Sequence, residues 1–308
     1  MTGPGAGLAA LRPLLGEIND AKRIHASGRL GSLASQGFAR SWAALLAGES
    51  PRRVALFESA ATVASSRLGA IDSAVLAGAG LGPGEVREVL RLAVREAAGG
   101  LQPSEVAGLS EAVDGLPGYF ERSGEVTSVP SWVASLAAQP RAGATRPGHP
   151  RLILEPAESH AEHCYVTAVY AVLVSPAFGA EPAGPFLAGL AHHLQNAFLP
   201  DSGFAGEELL GGHLAPIMAR LAKRAMAELP APLAGSVAEA LELLPHAETP
   251  EARAFHAADV LDRVLQMDQY ARVAAFELRQ ALDELDLVHP GPLQAFQLRV
   301  LDDSGLRR

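Results

Sequence analysis

Apolar residues recur every three or four positions along most of the 308-residue chain, the spacing expected of helices that bury one face. Before residue 100, the segments that follow this pattern are 8–24, 38–46, 53–68 and 86–98. After residue 160 they are 161–174, 186–198, 206–229, 233–243 and 250–282. Pro216 falls inside one of these segments and is expected to kink or restart that helix. The pattern predicts an all-α fold.

The composition shifts to proline, arginine, glycine and alanine between residues 139 and 150. A stretch of this kind is typical of a linker. We therefore predict an α-helical N-terminal region over 1–140, a linker over 141–150 and a second helical domain over 151–308. The N-terminal region carries no chemical motif, and the sequence gives no role for it.

Charge and composition exclude several classes of function. The formal net charge of −9 argues against general binding to a nucleic-acid backbone, which requires clustered lysine and arginine. No run of about 18 uninterrupted apolar residues predicts a membrane span. The N-terminus lacks the pattern of a secretory signal, so a cytoplasmic location is expected. The single cysteine, Cys164, excludes an intrachain disulfide and any zinc site built on several thiolates.

Histidines are concentrated in the second half of the chain, where seven of the ten lie between His160 and His256. Two of them, His192 and His193, are adjacent within an apolar helical run. Adjacent helical side chains point about 100° apart, so the pair can serve one site only in a cleft that both directions reach. Alternatively, one histidine is buried and hydrogen-bonded to a carbonyl group while its neighbour is exposed.

Four segments of this half resemble the HD-domain metal-dependent phosphohydrolases. The first is 159–168, which contains Glu162-His163; the second is 187–193, an apolar helix that ends in His192-His193. The third is 206–213, which ends in His213, and the fourth is 248–259, which ends in Asp259. The resemblance covers about residues 155–275 and implies a helical bundle of HD-domain type, preceded here by the additional helical region.

The resemblance also implies a metal centre. It makes His163, His192 and Asp259 ligands of one ion and gives His213 to a second ion. Imidazole and carboxylate ligands suit a divalent transition metal such as Fe, Mn, Zn, Co or Ni, with one or two ions bound. His193 stands where the family has the aspartate of its His-Asp pair, and we include it among the candidate ligands. Replacing a bridging carboxylate with a neutral imidazole makes the binding of a second ion less favourable.

Three further residues are candidates for catalysis. Asn196 stands where many relatives carry a lysine or glutamate near the scissile phosphate. Glu207 lies close to the ligand segments, and Arg253 is one of several basic residues that could bind phosphate charge. The others are Arg220, Lys223 and Arg224, and the sequence does not choose among them.

Three functions are compatible with these residues. The first is a hydrolase in which metal-activated water attacks a small phosphate ester, either a nucleotide or a related metabolite. The second is an HD-type di-iron oxygenase that oxidises or cleaves a small organic substrate. The third is a non-catalytic HD-like binding or signalling protein, which the loss of the aspartate favours. We expect a small-molecule substrate, no membrane or nucleic-acid partner, and a chain able to form a homo-oligomer.

Overall fold

The protein folds as a helical assembly in the computed structural model, which describes residues 4–126, 128–274, 277–284 and 286–307. Within these residues no strand occurs, and only isolated bridges such as Ala144 with Leu152 are present. The predicted all-α fold is confirmed. The α-helices are α1 (Pro4–Asn19), α2 (Leu33–Leu46), α3 (Pro51–Leu68), α4 (Ser73–Gly78), α5 (Pro83–Ala97), α6 (Pro103–Ala112), α7 (Leu116–Gly124), α8 (Ser131–Ala138), α9 (His160–Phe178), α10 (Ala183–Ala191), α11 (Gly203–Leu210), α12 (Leu214–Met226), α13 (Ala231–Leu241), α14 (Pro250–Ala274) and α15 (Gln294–Asp303).

Helix α9 is the central element of the fold. It begins at a capping box in which Ser159 Oγ accepts a hydrogen bond from the Glu162 amide and the Glu162 carboxylate accepts one from the Ser159 amide. Almost every residue from His160 to Ser175 is buried, because α1, α2, α3, α8, α10 and α14 all pack around this helix. A helix that is apolar on all sides belongs in the centre of a core. No helix in the described parts of the chain is long and apolar enough to cross a membrane.

The N-terminal helices share their hydrophobic core with the second half. One cluster of buried residues runs from Leu8 to Leu306 and includes side chains from both sides of the predicted linker. The segment 141–150 itself is tied down, since Arg141 N donates to Glu158 O and Ala144 pairs with Leu152. The three-part domain division stays a prediction, but helices α1, α2, α3 and α8 of the N-terminal region pack directly against α9.

Two predicted helices are interrupted where the site lies. In the predicted segment 186–198, the α-helix ends at Ala191, and a 3₁₀ turn follows over Leu194–Ala197. Gln195 Nε2 donates to the freed carbonyl of His192, and the Asn196 amide donates to that of His193. The segment 206–229 breaks at Gly211, whose positive φ of 50° favours glycine. The chain restarts as α12 at Leu214, so Pro216 lies in a first helical turn.

The last long predicted helix, 250–282, is shorter in the structure. Helix α14 ends at Ala274, and a π-helical turn occupies Gln280–Glu284. Residues 275 and 276, which fall inside the prediction, lie outside the described residues.

Helices α9 and α10 cross at very short range. A Cβ atom placed on Gly189 would lie 2.6 Å from Cα and 2.7 Å from N of Ala168. Only glycine fits at this crossing, because the nearest atoms are backbone. The crossing lies one helical turn from His192 and fixes the distance between the two histidine-bearing segments.

We expect Gly189→Ala to destabilise the protein by about 1–3 kcal/mol, because the added methyl group must push α10 away from the α9 backbone. Gly184→Ala on the same helix is the matched control, since its Cβ would meet only Leu243 Cδ1 at 3.7 Å. Chemical denaturation of both variants checks the difference. Equal stabilities would show that the crossing is not close-packed.

Candidate metal centre

Three acceptor atoms from three segments meet at one point. His163 Nε2, on the first turn of α9, lies 3.0 Å from His192 Nε2 and 3.3 Å from Asp259 Oδ1 of α14. His192 Nε2 lies 4.0 Å from the same carboxylate oxygen. Ligands bound to one ion at about 2.0–2.2 Å must themselves lie within about 4.4 Å of one another. The three atoms therefore fit a single metal ion.

The partners of His163 assign its tautomer. His163 Nδ1 lies 2.6 Å from Asp262 Oδ2, and both side chains are fully buried. A carboxylate accepts hydrogen bonds, so Nδ1 carries the proton and Nε2 presents a lone pair to His192 and Asp259. Asp259 and Asp262 are three residues apart and lie on one face of α14, which lets a single imidazole contact both. A carboxylate behind a metal-binding histidine is the usual device for fixing the ring.

The same reasoning applies to His192. Its Nδ1 lies 2.8 Å from the Gly189 carbonyl oxygen, which can only accept a hydrogen bond. The proton is therefore on Nδ1, and the lone pair of Nε2 faces that of His163. With both rings neutral, two imidazole lone pairs and a carboxylate oxygen converge, an arrangement that a cation would neutralise.

The end of α10 explains how both members of the histidine pair reach one site. His192 closes the helix, and His193 leaves it with φ −115° and ψ 21°. The His193 ring centroid lies 4.3 Å from that of His192 and 5.2 Å from that of His163. Asn196 Oδ1 is an acceptor, and it already accepts a hydrogen bond from Gln195 Nε2. His193 Nδ1, which lies 2.9 Å from this oxygen, therefore donates to it. Nε2 of His193 remains free to bind a metal. One ring nitrogen from each of His163, His192 and His193 lies within 4.8 Å of the other two.

Burial keeps the imidazoles of His192 and His193 neutral. Desolvation, followed by the neighbouring histidines, lowers the pKa of His192 to about 3 and that of His193 well below 6.5. Burial would raise the pKa of Asp259, but the positive charge of Arg263 opposes this effect, and the pKa lies well below its ordinary value. Neutral imidazole and ionised carboxylate are the forms that bind a metal.

His160 is a further histidine against this group. It is fully buried, and neither ring nitrogen has a hydrogen-bond partner. Its ring centroid lies 4.8 Å from that of His193, and its Nε2 lies 3.8 Å from Asp201 Oδ2. Burial, followed by the charge of Arg141, lowers the pKa of His160 to about 3.

A cavity of about 720 Å³ opens onto the group. His192, His193 and Asp259 form part of its wall, together with Arg141 and Arg263. Both arginines have a buried Nε without a hydrogen-bond partner, and their side chains are 20% and 15% exposed. Acidic residues such as Glu158 and Asp201 also line the cavity. The apolar and aromatic part of its wall is formed by Leu154, Phe204, Phe255, Met267, Tyr270 and Leu287. The cavity thus offers two guanidinium groups near the acceptor group and apolar surface elsewhere on its wall.

The structure brings some predicted site residues together and leaves others apart. His163, His192, His193 and Asp259 converge, and Glu207 lines the same cavity. Burial, followed by Asp201, raises the pKa of Glu207. Asn196 lies behind the centre and contacts His193 and the Leu199 carbonyl.

Two predicted residues need correction. His213 is exposed in the 3₁₀ turn Gly211–His213 and does not line the cavity, because the chain breaks at Gly211 before it. Arg253 is exposed, donates to the Ala247 carbonyl and lines a different cavity between α14 and α15. Neither is placed to act at this centre.

Several residues of the site carry little sequence signal. Arg141 falls in the predicted linker, and Lys22 is in a basic trio better suited to a solvated helix end. Lys22 is instead buried and paired with Glu158 and Asp262. Only Asp262 and Arg263 could have been found, because they follow Asp259 at helical spacing.

Comparison with protein families gives one match: residues 133–285 fit a family model described as an HD domain. Comparison with curated proteins and with solved structures gives no match. The matched range contains all four converging residues and begins within α8. The resemblance inferred from the four segments is thereby confirmed.

The buried neutral histidines predict acid sensitivity of the metal-free protein. As the pH falls below about 6.5, the unfolded chain binds protons that buried His160, His192 and His193 do not, so stability falls with the pH. We expect His160→Gln to reduce the stability loss between about pH 7 and pH 5 by about 1–2 kcal/mol. Urea denaturation at both pH values measures it.

The exposed His149 provides the control, since His149→Gln should leave the pH dependence unchanged. If His160→Gln lost as much stability between about pH 7 and pH 5 as the wild type, His160 would not be a buried neutral group.

Proposed function

Since residues 133–285 make this chain a member of the HD-domain superfamily, we propose that it is a metal-dependent hydrolase that acts on a small phosphate ester, such as a nucleotide or a related metabolite. The observation that carries the proposal is the convergence of His163 Nε2, His192 Nε2 and Asp259 Oδ1, which lie 3.0–4.0 Å from one another. His193 Nε2 is a candidate fourth ligand.

An ion at this point would supply an acidified water molecule and positive charge for the phosphoryl oxygens. The chain's own residues supply the rest. His163, His192 and Asp259 hold the ion, and Asn196 acts indirectly by orienting His193. Fe, Mn, Zn, Co and Ni all accept this mixed imidazole and carboxylate set.

Arg141 and Arg263 are the residues we assign to phosphate binding. Each lines the cavity and has a buried Nε that lacks a hydrogen-bond partner. Guanidinium groups bind phosphate oxygens in paired hydrogen bonds, and removal from water strengthens such bonds. Their positions replace the sequence-based candidates Arg220, Lys223, Arg224 and Arg253.

Glu207 is our candidate proton donor to the leaving group. It lies on the cavity wall, and its raised pKa favours the protonated form that a general acid needs. The apolar wall around Leu154, Met267 and Tyr270 offers a surface for the organic part of the ester.

A di-iron oxygenase is the second candidate, and the histidine content of the site is what favours it. His160 and His193 add two imidazoles to the His163–His192 pair, while the bridging aspartate of the family is replaced. Iron bound in stoichiometric amount, with an optical or paramagnetic signal and no phosphatase activity, would select this function. A protein that binds no metal would instead be the non-catalytic HD-like scaffold.

We expect wild-type protein purified without chelator to contain a transition metal and to hydrolyse phosphomonoesters. His192→Ala should lose the metal and at least about 100-fold in kcat/KM, because one of three converging ligands is removed. Metal analysis by mass spectrometry and assay against a phosphomonoester panel measure both.

The control for this experiment is His213→Ala, which removes an exposed histidine outside the cavity and should retain both metal and activity. Metal content unchanged in His192→Ala would rule out the proposed centre.

We expect Arg263→Gln to raise KM for a phosphomonoester, and the inhibition constant of inorganic phosphate, by about tenfold or more, because a charged hydrogen bond to phosphate is lost. Arg253→Gln, in the separate cavity, should change neither constant. Steady-state kinetics with phosphate as competitor measures both constants, and an unchanged phosphate constant in Arg263→Gln would remove this residue from the phosphate site.

A further inference from the structure

Lys22 is a buried cation contributed by the N-terminal region. It ends a 3₁₀ turn over Asp20–Lys22, directly after α1, and its side chain is only 2% exposed. Its Nζ forms ion pairs with Glu158, just before α9, and with Asp262 Oδ1 of α14, the latter at 2.6 Å. Lysine is almost never fully buried unless it is paired, so this arrangement requires both carboxylates.

Asp262 connects Lys22 to the metal centre. One carboxylate oxygen, Oδ1, contacts Lys22, and the other, Oδ2, lies 2.6 Å from His163 Nδ1. Lys22 therefore holds one end of the carboxylate and leaves the other end directed at the imidazole. The His163 ring has Asp262 on one nitrogen and the acceptor group on the other.

We propose that Lys22 is a positioning residue for the metal centre, holding Asp262 so that His163 keeps its proton on Nδ1 and presents Nε2 to the ion. The assignment gives residues 1–140 a role, because a side chain from that region fixes a ligand of the HD domain. It rests on the metal centre of the proposed function and not on the reaction.

Charge compensation makes Asp262 dependent on Lys22. A buried carboxylate without a cation is strongly destabilised, and a second buried carboxylate nearby increases the cost. Glu158 has an additional partner in Arg141, whose Nη1 lies 3.3 Å from Glu158 Oε2. Asp262 has no comparable cation among the ion pairs of the described residues, apart from Lys22 and the His163 ring. Lys22 is thus the cation that compensates Asp262.

The test uses full-length protein and measures cobalt binding. Lys22→Met alone leaves uncompensated buried charge and is expected to impair folding. The double variant Lys22→Met/Glu158→Gln removes one positive and one negative group, so the net charge of the buried group is unchanged. We expect its affinity for Co²⁺ to fall 10- to 100-fold, the usual effect of losing a partner behind a metal ligand. The visible absorption spectrum of bound Co²⁺ should change with the His163 geometry.

Two comparisons separate positioning from packing. Thr62→Val removes the hydrogen bond between Thr62 Oγ1 and Tyr165 OH, another contact of the N-terminal region with α9, and should leave cobalt affinity and spectrum unchanged. Asp262→Asn should weaken cobalt binding at least as much as the double variant. Lys22→Arg keeps the positive charge and should bind Co²⁺ more tightly than the double variant does.

Wild-type cobalt affinity and spectrum in the double variant, even with a lowered melting temperature, would overturn the proposal and reduce Lys22 to a structural ion pair. A wild-type protein that binds no cobalt would instead refute the metal centre itself. The two failures are therefore distinguishable.

Discussion

The short-range crossing of α9 and α10 is the constraint on which the site depends. Gly189 lies against the Ala168 backbone, and His192 follows one turn later, so the helices can approach until the two imidazoles are 3.0 Å apart. A wider crossing would separate the ligands beyond the reach of one ion. The end of α10 at Ala191 then turns His193 toward the same group. Packing and backbone geometry together create the convergence.

Charge is arranged around this convergence in layers. Neutral imidazoles and the Asp259 carboxylate face the centre, and Asp262 stands behind His163. Lys22 compensates Asp262, while Arg141 and Arg263 face the cavity. Burial opposes the charged form of Asp262, but Lys22 and His163 outweigh it and keep its pKa below the ordinary value. The N-terminal helices are thus part of the electrostatics of the HD domain, with which they share one core.

Sequence alone predicted the helical fold, because helical periodicity is a local signal. The resemblance of the four segments pointed to His163, His192 and Asp259, whose side chains lie close together in the structure, and their role as metal ligands stays a prediction. The sequence could not place Lys22 with Asp262, since the two residues are 240 positions apart in the chain and burial of a lysine has no local pattern. It missed the end of α10, where Gln195 caps a carbonyl without a proline or glycine stop. It also misplaced His213, because Gly211 redirects the chain before that residue.

The central claim is that His163, His192 and Asp259 bind one metal ion. The most direct measurement is an anomalous-scattering map from crystals of the protein loaded with a single transition metal, with data collected above and below its absorption edge. We expect a peak about 2.0–2.2 Å from His163 Nε2, His192 Nε2 and Asp259 Oδ1. A loaded crystal with no peak among these three atoms, or with its peak elsewhere in the chain, would contradict it.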